Sequence, residues 1–259
     1  MSKPLILVTN DDGITAPGLR LLIQLMNELG DVVVVAPDSP QSGMGHAITL
    51  DNTLYSKKVV IDREHGAPKE YSCSGTPADC VKLGLQELLQ RKPDIVVSGI
   101  NHGSNASINV IYSGTMSAAV EAGIEGIPAI GFSLCDYGWN ADFTGISESV
   151  KQIVRTALKN GIPRGTVLNV NYPKYDGVPL KGAKICRQAK ANWKEKFDKR
   201  TSPMGKEYYW LTGEFDLLDK GEDTDIHALN NGYASIVPTQ FDLTAHYAIS
   251  TLNTWNFED

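Results

Sequence analysis

The sequence predicts an α/β protein with a doubly wound, mostly parallel sheet, and three observations lead to this fold class. Short runs rich in Val and Ile are bounded by turn residues, which is typical of strands buried on both faces of a parallel sheet. These runs alternate with segments whose apolar residues recur at helical spacing, as βαβ units require. The 24 glycines among 259 residues suit the many tight loops that join such elements.

The predicted elements follow one another from the first strand onward. Residues 5–9 predict a strand, and a helix begins at Pro17 and ends before Gly30, because Pro is favoured at the first helical position and Gly beyond the last. The remaining predicted elements are, in chain order, a strand at 31–37, short hairpin strands within 47–73, a helix from the N-cap Thr76 to about residue 90, a strand at 94–99, a polar loop at 100–112, a helix around 116–124, a strand at 127–132, a helix at 143–159 and a strand at 167–170.

Beyond about residue 171 the alternation of strands and helices weakens. Residues 193–197 and 208–210 combine charges with aromatic side chains, which predicts hairpins or arms rather than core. Such an extension either packs on another subunit or folds back on its own domain, and the sequence leaves both open. We therefore expect a single domain, 1–259, with an α/β core at about 1–170 and a C-terminal extension at about 171–259.

Composition excludes several classes of function. The formal net charge is −6 and no basic cluster forms a stripe, so we expect no nucleic-acid polymer as a partner. No apolar run approaches the roughly 18 residues of a membrane span, so we expect no membrane partner. The four cysteines show no C-x-x-C spacing and the first residues show no signal peptide, which together predict a reducing, cytoplasmic location.

Two adjacent carboxylates, Asp11 and Asp12, follow the first predicted strand directly. They would lie at its carboxyl end, the edge at which open α/β sheets bind ligands. Two unpaired carboxylates there would repel each other, so a hard divalent cation is expected between them. The alternative is that residues 10–13 form only a turn, since Asn, Asp and Gly are common turn residues.

Three more loops are expected at the same edge. They contain Ser42 and Gly43, Asn101, and Ser113-Gly114-Thr115 at the start of a helix. Asp, Ser and Asn offer oxygen ligands, which favours Mg²⁺ or Mn²⁺ over zinc. The free N–H groups and the dipole of the helix start would attract a phosphate, although Ser113 could also act only as an N-cap. A cation site beside an anion site is the layout of metal-assisted phosphoryl transfer to water.

Several other classes lack their motifs. The first strand is not followed by G-x-G-x-x-G, and neither G-x-x-x-x-G-K-S/T nor G-x-S-x-G occurs, which argues against a dinucleotide-binding domain, a P-loop NTPase and a serine hydrolase. A receiver domain would be shorter and would need an Asp where residues 98–101 read SGIN. A non-catalytic sensor of metal and nucleotide remains the alternative function. His46 and His102 lie in candidate loops, where they either assist a phosphate site or are simply solvated.

These loops, in order, resemble the SurE survival proteins, a family of metal-dependent nucleotidases. The resemblance spans nearly the whole chain, and the order and spacing of its blocks are specific. The blocks are VTNDDG (8–13), AP and QSG (36–37, 41–43), GTPADCV (75–81), SGINHGSN (98–105), YSGTMSAA (112–119) and, near the end, TD, AL, GYASI and DLT (224–225, 228–229, 232–236, 242–244).

The resemblance implies a Rossmann-like sheet, a C-terminal β-hairpin arm and hydrolysis of nucleoside 5′-monophosphates, with 3′-nucleotides and short polyphosphate as further substrates. It implies homodimers or homotetramers formed through C-terminal arms. The implied ligands of one divalent metal ion per subunit (Mg²⁺ or Mn²⁺) are Asp11, Asp12, Ser42 and Asn101, and the implied phosphate-binding residues are Gly43, Asn101, Ser113, Gly114 and Thr115.

The expected catalytic residues are Asp11, Asp12 and Asn101. Either Asp11 or Asp12 could take a proton from water, since the sequence does not separate ligand from base, and Asp12 is our choice of the two. Asn101 would orient the metal or the phosphate. A covalent route with Asp11 as the nucleophile stays open, because carboxylates can attack phosphorus.

The chain departs from the family pattern at one position near the site. Many members carry Gly-x-Asp before the YSGT block, whereas this chain reads ASIN at 106–109. Asn109 therefore makes that position less acidic, and we expect an effect on loop order or on substrate preference rather than on the metal ligands.

Overall fold

The computed structural model describes residues 3–138 and 140–257; residues 1, 2, 139, 258 and 259, which belong to the predicted domain 1–259, lie outside the described residues. The strands of the described part are β1 (Leu5–Thr9), β2 (Asp31–Pro37), β3 (Ser56–Val59), β4 (Lys69–Cys73), β5 (Ile95–His102), β6 (Ala129–Leu134), β7 (Thr166–Tyr172), β8 (Ala183–Ile185), β9 (Ala191–Thr201), β10 (Glu207–Leu217) and β11 (Ala234–Gln240). Its α-helices are α1 (Pro17–Asn27), α2 (Pro77–Leu83), α3 (Gly114–Ile124), α4 (Ser147–Asn160), α5 (Asp225–Asn230) and α6 (His246–Leu252).

Nine of these strands form one sheet in the order β3-β4-β2-β1-β5-β6-β7-β11-β8. The six strands from β4 to β7 are parallel to their neighbours, whereas β3 pairs antiparallel with β4 and β11 antiparallel with β7. The chain runs outward from β1 to β2 on one side and returns to β5 on the other. The carboxyl ends of β1 and β5 therefore flank the switch point at which open α/β sheets bind ligands. This architecture confirms the predicted mostly parallel, Rossmann-like α/β fold.

Helices cover both faces of the sheet, and successive strand residues point to opposite faces. In β1, Ile6 and Val8 pack in a core with the apolar sides of α1 and α4. Leu7 points the other way, into a core with α2 and α3. Strands buried on both faces have to be apolar almost throughout, which explains the continuous Val and Ile runs. Each aliphatic side chain buried in this way stabilises the fold by about 1.5–3 kcal/mol.

The α2 helix begins as the sequence predicts but ends earlier. The Thr76 side chain accepts a hydrogen bond from the backbone N–H of Asp79, and the Asp79 carboxylate accepts one from the N–H of Thr76. This capping box satisfies two N–H groups at the helix start. After Leu83 the chain continues as a π-helical turn, Gly84–Leu88, so the helical segment ends close to the predicted end at about residue 90 but changes its hydrogen-bonding pattern on the way.

The predicted bounds of the polar loop, 100–112, were wrong. Strand β5 continues to His102, because Asn101 pairs with Ser133 and His102 with Leu134 of β6. Residues 107–112 form a short 3-10 helix that leads into α3. Hydrophobic patterning ended the strand too early, since its last residues are polar and still part of the sheet.

The C-terminal part contains both an arm and further strands of the main sheet. Strands β9 and β10 form a separate antiparallel hairpin, which confirms the predicted hairpin with exposed aromatic side chains. Strand β11 instead lies beside β7, so the main sheet continues beyond the predicted core boundary at about residue 170. Helix α6 buries none of its residues. Among the described residues, no helix is both long and apolar enough to cross a membrane.

Candidate active site

A cleft of about 280 Å³ opens at the carboxyl ends of β1 and β5. Its walls include five of the predicted site residues: Asp11, Ser42, Gly43, Asn101 and Ser113. The other lining residues are His102, Gly103, Ser104, Asn105, Asn109, Tyr112, Tyr137 and Trp193. The four loops identified in the sequence thus meet at one edge of the sheet, as predicted from their positions after strands.

Asp11 is the more buried of the two adjacent carboxylates, with 4% of its surface exposed. Its Oδ1 accepts a short hydrogen bond from the Thr115 hydroxyl. Burial raises the pKa of Asp11 to about 6, the Asp12 carboxylate adds to this rise, and the Thr115 hydrogen bond opposes it. A side chain at Gly114 would lie 2.7 Å from the Asp11 Cβ, so only glycine lets α3 approach so closely. The Asp11 carboxylate therefore lies against the start of α3, where burial and the neighbouring Asp12 both disfavour its charged form.

Asp12 has a different environment. It is partly exposed, and its Oδ2 accepts a hydrogen bond of 3.2 Å from the backbone N–H of His102. The Nδ1 atom of His102 lies 3.6 Å from the same oxygen. Two neighbouring carboxylates therefore differ in burial and in partners, which is how one fold gives two acids separate roles.

Asn101 is buried at the end of β5. Its Nδ2 donates to the carbonyl oxygen of Gly103 at 2.9 Å, which fixes the side-chain amide and leaves the amide oxygen available as a ligand. The following loop is held by buried amides: the backbone N–H of Asn105 donates to Asn171, and the Asn105 side chain donates to Ser133, each at 2.8 Å. Satisfied buried networks of this kind keep a loop in one conformation.

The loop with Ser42 and Gly43 is tied to the first loop by its backbone. The N–H of Gln41 donates to the carbonyl oxygen of Asp11 at 2.8 Å. Ser42 is exposed, and Gly43 has a φ of +74° with open space on its side-chain position. An incoming anion can therefore approach the backbone at Gly43 closely.

An ion-pair cluster around the buried Glu121 anchors the end of the loop that contains Ser42 and Gly43. The Glu121 carboxylate on α3 contacts the His46 Nε2 at 2.9 Å and the Lys82 Nζ at 2.5 Å. Only 4% of the Glu121 side chain is exposed. The loop that presents Ser42 is thus anchored to the helix whose first turn faces the cleft. His46 itself does not line the cleft.

The first turn of α3 faces the cleft, but part of it is already engaged. The Ser113 Oγ accepts a hydrogen bond from the N–H of Met116 at 3.0 Å, which makes Ser113 the N-cap. Thr115 is fully buried and gives its hydroxyl to Asp11. The backbone of Thr115 also hydrogen-bonds Asp11, and neither Thr115 nor Gly114 lines the cleft, so Thr115 positions Asp11 in this structure.

The donor set of the cleft fits a hard divalent cation. Two carboxylates, a hydroxyl and an amide oxygen come from Asp11, Asp12, Ser42 and Asn101, and all four are oxygen ligands. The buried, repelling carboxylate of Asp11 is the observation that calls for positive charge. No group of three or more His, Cys, Asp or Glu suited to a metal occurs in the described part of the chain, so this candidate set depends on Ser42 and Asn101 as well as on the two carboxylates.

Sequence reasoning missed two side chains of the cleft wall, those of Trp193 and Tyr137. The Trp193 indole N–H, from the base of the hairpin, donates to the Asn109 Oδ1 at 2.8 Å. The Tyr137 ring packs over Gly103, and its hydroxyl accepts from the N–H of Ser104. Trp193 lies far along the chain from the other loops, so no local spacing could have placed it there.

One buried carboxylate joins the cleft to the base of the arm. Asp225, at the start of α5, accepts hydrogen bonds from the backbone N–H of Ser107 at 2.7 Å and of Ala189 at 3.0 Å. Ser107 holds a φ of +55°, an uncommon conformation for a residue with a side chain. Asp225 thus fixes the segment before Asn109 and the residues that lead into β9.

Comparison with known proteins agrees with this geometry. The profile of the family described as "Survival protein SurE" matches residues 6–195. Proteins named "5'-nucleotidase SurE" from Christiangramia forsetii and Flavobacterium psychrophilum are 67% and 68% identical, and each alignment covers 99% of this chain and 98% or 99% of the relative. The crystal structure of the SurE protein from Aquifex aeolicus superposes with a TM-score of 0.82 at 41% identity, covering 96% of this chain and 98% of that one. The resemblance found in the sequence is confirmed, and the chain belongs to the SurE family.

Proposed function

We propose that this protein is a metal-dependent phosphatase that hydrolyses nucleoside 5′-monophosphates to nucleoside and phosphate. The observation that carries the proposal is the buried Asp11 carboxylate, which lies beside the partly exposed Asp12 and contacts the first turn of α3 at the edge of the cleft. The names of the relatives from Christiangramia forsetii and Flavobacterium psychrophilum support nucleotide substrates. Short polyphosphate and 3′-nucleotides are included as further substrates.

Asp11, Asp12, Ser42 and Asn101 are the proposed ligands of one Mg²⁺ or Mn²⁺ ion per subunit. When bound, the cation would neutralise phosphate charge and lower the pKa of a water molecule. The burial of Asp11 supports a role as ligand, since its charge otherwise lacks compensation. The hydrogen bond between Asn101 and Gly103 supports Asn101 as a ligand or orienting group with a fixed amide.

The substrate phosphate is proposed to bind at the start of α3. At Ser113, Gly114 and Thr115 the dipole of the helix start and the Ser113 hydroxyl would stabilise the negative charge that develops on the transferring oxygens, while the Ser113 N–H itself donates to the Val110 carbonyl. Gly43 offers a backbone N–H from the opposite loop, and Asn101 completes the set. The Ser113 hydroxyl can donate to the phosphate while its oxygen accepts from Met116.

Asp12 is the proposed general base. Its partial exposure and its hydrogen bond from the His102 backbone leave the carboxylate able to take a proton from the attacking water. Asp11 is less suited to attack phosphorus, because Thr115 occupies one of its oxygens. Trapping of a phosphorylated Asp11 with a slow substrate would replace the water mechanism with the covalent one.

The proposal extends to location and assembly. We place the enzyme in the cytoplasm, without a nucleic-acid polymer or a membrane as a partner. The exposed aromatic side chains of the hairpin and of α6 support a homodimer or homotetramer formed through the C-terminal arm.

Phosphate release from a panel of substrates tests the proposal. The panel contains the four common nucleoside 5′-monophosphates, the matching 3′-nucleotides and tripolyphosphate, each assayed after EDTA treatment and after Mg²⁺ or Mn²⁺ is added back separately. We expect release that EDTA abolishes and that one of the metals restores. No release under either metal, together with binding of nucleotide, would assign the protein to the sensor class instead.

A further inference from the structure

We propose that the base of the substrate binds in a second cavity beside the carboxylate cleft, where it stacks on the indole ring of Trp193. This inference rests on the proposed function and adds to it a subsite for the nucleoside. The cavity has a volume of about 620 Å³, within the range of small-molecule pockets.

The second cavity adjoins the cleft, because Ser104, Asn109, Tyr137 and Trp193 line both spaces. With a phosphate at the start of α3, we expect the nucleoside to reach the second cavity past these shared residues. Tripolyphosphate has no group that could use an aromatic cavity, whereas a nucleoside does.

Trp193 is held in place before any ligand binds. Its indole N–H donates to the Asn109 Oδ1 at 2.8 Å, and its ring meets that of Phe215 edge-on, with 5.5 Å between the centroids. A ring fixed on two sides loses little freedom when a base stacks on it, and preorganisation of this kind raises affinity. Asn109, where the family usually has Asp, thus acts here as an acceptor that orients the indole.

The remaining walls are mostly apolar, which favours stacking. They contain Cys135, Pro173, Phe215, Leu217, Ile226 and Leu229, with Lys174 and Asn230 as further polar residues. Both ends of the Asn109 amide are engaged, the oxygen with Trp193 and the nitrogen with the Ser104 carbonyl at 3.2 Å. Stacking tolerates any base and grows with ring area, so AMP should gain more from the subsite than UMP.

Two variants of Trp193 test the subsite. Base stacking is worth about 1–3 kcal/mol, so Trp193→Ala should lower kcat/KM for AMP about tenfold or more and lower that for UMP less. Trp193→Phe keeps an aromatic face without the indole N–H and should stay within about threefold of the wild type for AMP. The matched control is Trp210→Ala, which removes a tryptophan that is 59% exposed on the same hairpin. It should leave kcat/KM for both AMP and UMP unchanged.

Ribose 5-phosphate, which has no base, separates the subsite from the reaction itself. With this substrate the kcat/KM of Trp193→Ala should equal that of the wild type. An equal loss of kcat/KM on ribose 5-phosphate and AMP, or no loss on either, would overturn the subsite. Calorimetric binding of AMP in the presence of Mn²⁺ covers the case in which the wild type releases no phosphate. A weakening of about tenfold in Trp193→Ala would then support the subsite although the proposed function had failed, and unchanged binding would overturn it.

Discussion

The carboxyl edge of the sheet and the C-terminal arm depart from the usual distribution of polar and apolar residues in opposite directions. At the sheet edge, polar groups are buried: Asp11 is 4% exposed and Asn101 is 8% exposed. In the arm, large apolar side chains are exposed: Phe197 by 64% and Trp210 by 59%. Buried charge and exposed aromatic surface each carry a free-energy cost unless something binds there.

The difference indicates what each region needs. The sheet edge gathers oxygen atoms around two neighbouring carboxylates, which supports the proposed small cation. The arm is a two-stranded hairpin with little core of its own, and such hairpins are marginal in water unless they pack on something. We therefore expect the arm to pack on a protein surface. Variants that affect one region without the other test this division, and they are described here from the largest expected effect to the smallest.

Replacement of the proposed base should have the largest effect. Asp12→Asn removes a proton acceptor, which is expected to lower phosphate release about 10³-fold. The assay is phosphate release from AMP at saturating Mn²⁺, with thermal melting as a check on folding. The arm should be unaffected, so the mass in solution should equal that of the wild type. Near-normal turnover at saturating metal would remove Asp12 from the role of base.

Replacement of the buried carboxylate should separate metal binding from folding. Asp11→Asn relieves repulsion from Asp12, so the metal-free variant should melt at a higher temperature than the metal-free wild type. At a Mn²⁺ concentration 100 times the Kd, the wild type should gain about 2.7 kcal/mol, or about 5–10 °C in Tm, whereas the variant should gain almost nothing. An equal Mn²⁺ shift in both proteins would show that Asp11 does not hold the metal.

Two N-caps distinguish a helix start in the site from one outside it. Thr76→Ala and Ser113→Ala each remove a hydroxyl that caps a helix, so each should lower the stability by about 1 kcal/mol. Only Ser113→Ala also removes a donor to the proposed phosphate, and its turnover should fall about 100-fold. Comparison of kcat and Tm for the pair checks both statements. Equal activity in the two variants would mean that Ser113 is a cap only.

The ion-pair cluster beneath the Ser42 loop should have a moderate effect. Glu121→Gln breaks the contacts with His46 and Lys82, and loss of such supporting groups typically weakens metal binding about tenfold. The measurement is the Mn²⁺ concentration that gives half-maximal phosphate release. Glu148→Gln, on the exposed surface of α4, is the matched control and should change neither this value nor Tm by a measurable amount. Identical metal dependence in both variants would exclude a positioning role for Glu121.

The outer hairpin should have no effect on the chemistry of a single chain. Phe197→Ser combined with Trp210→Ser makes two exposed positions polar, 64% and 59% exposed in this structure. We expect light scattering after size-exclusion chromatography to show a smaller assembly than the wild type. Phosphate release per chain should be unchanged. An unchanged assembly would place the contact between subunits elsewhere.

The sequence predicts the elements and loops whose cause is local. Val-rich runs predict the buried strands, and Thr76 and Pro17 mark helix starts because caps and prolines act on neighbouring residues. The candidate loops could be placed at one edge because parallel strands share their direction. That placement required no knowledge of any contact between the loops.

The parts that the sequence does not predict depend on distant partners. Strand β11 pairs with β7, some 65 residues earlier in the chain, and its short apolar run looks like any other. The last residues of β5 are polar, so only their pairing with β6 identifies them as strand. No spacing rule predicts the contact of the Trp193 indole with Asn109. The same holds for the contact of the Thr115 hydroxyl with Asp11, although Thr115 itself was expected at the site.

Because Asp225 bonds both the segment before Asn109 and the residues that lead into β9, the cleft cannot be complete until Asp225 has been synthesised. All proposed metal ligands lie within the first 101 residues, and the phosphate site follows by residue 115. The segment beside them is also held by later residues: the backbone N–H of Ser107 donates to Asp225, 118 positions further along the chain, and the Ser107 hydroxyl donates to Ala189. A nascent chain that has just completed α4 therefore carries every ligand but lacks the clamp on its loop and the tryptophan wall. The cleft is completed, and any selectivity for nucleotides arises, only while the last third of the chain, which contains Trp193 and Asp225, is synthesised.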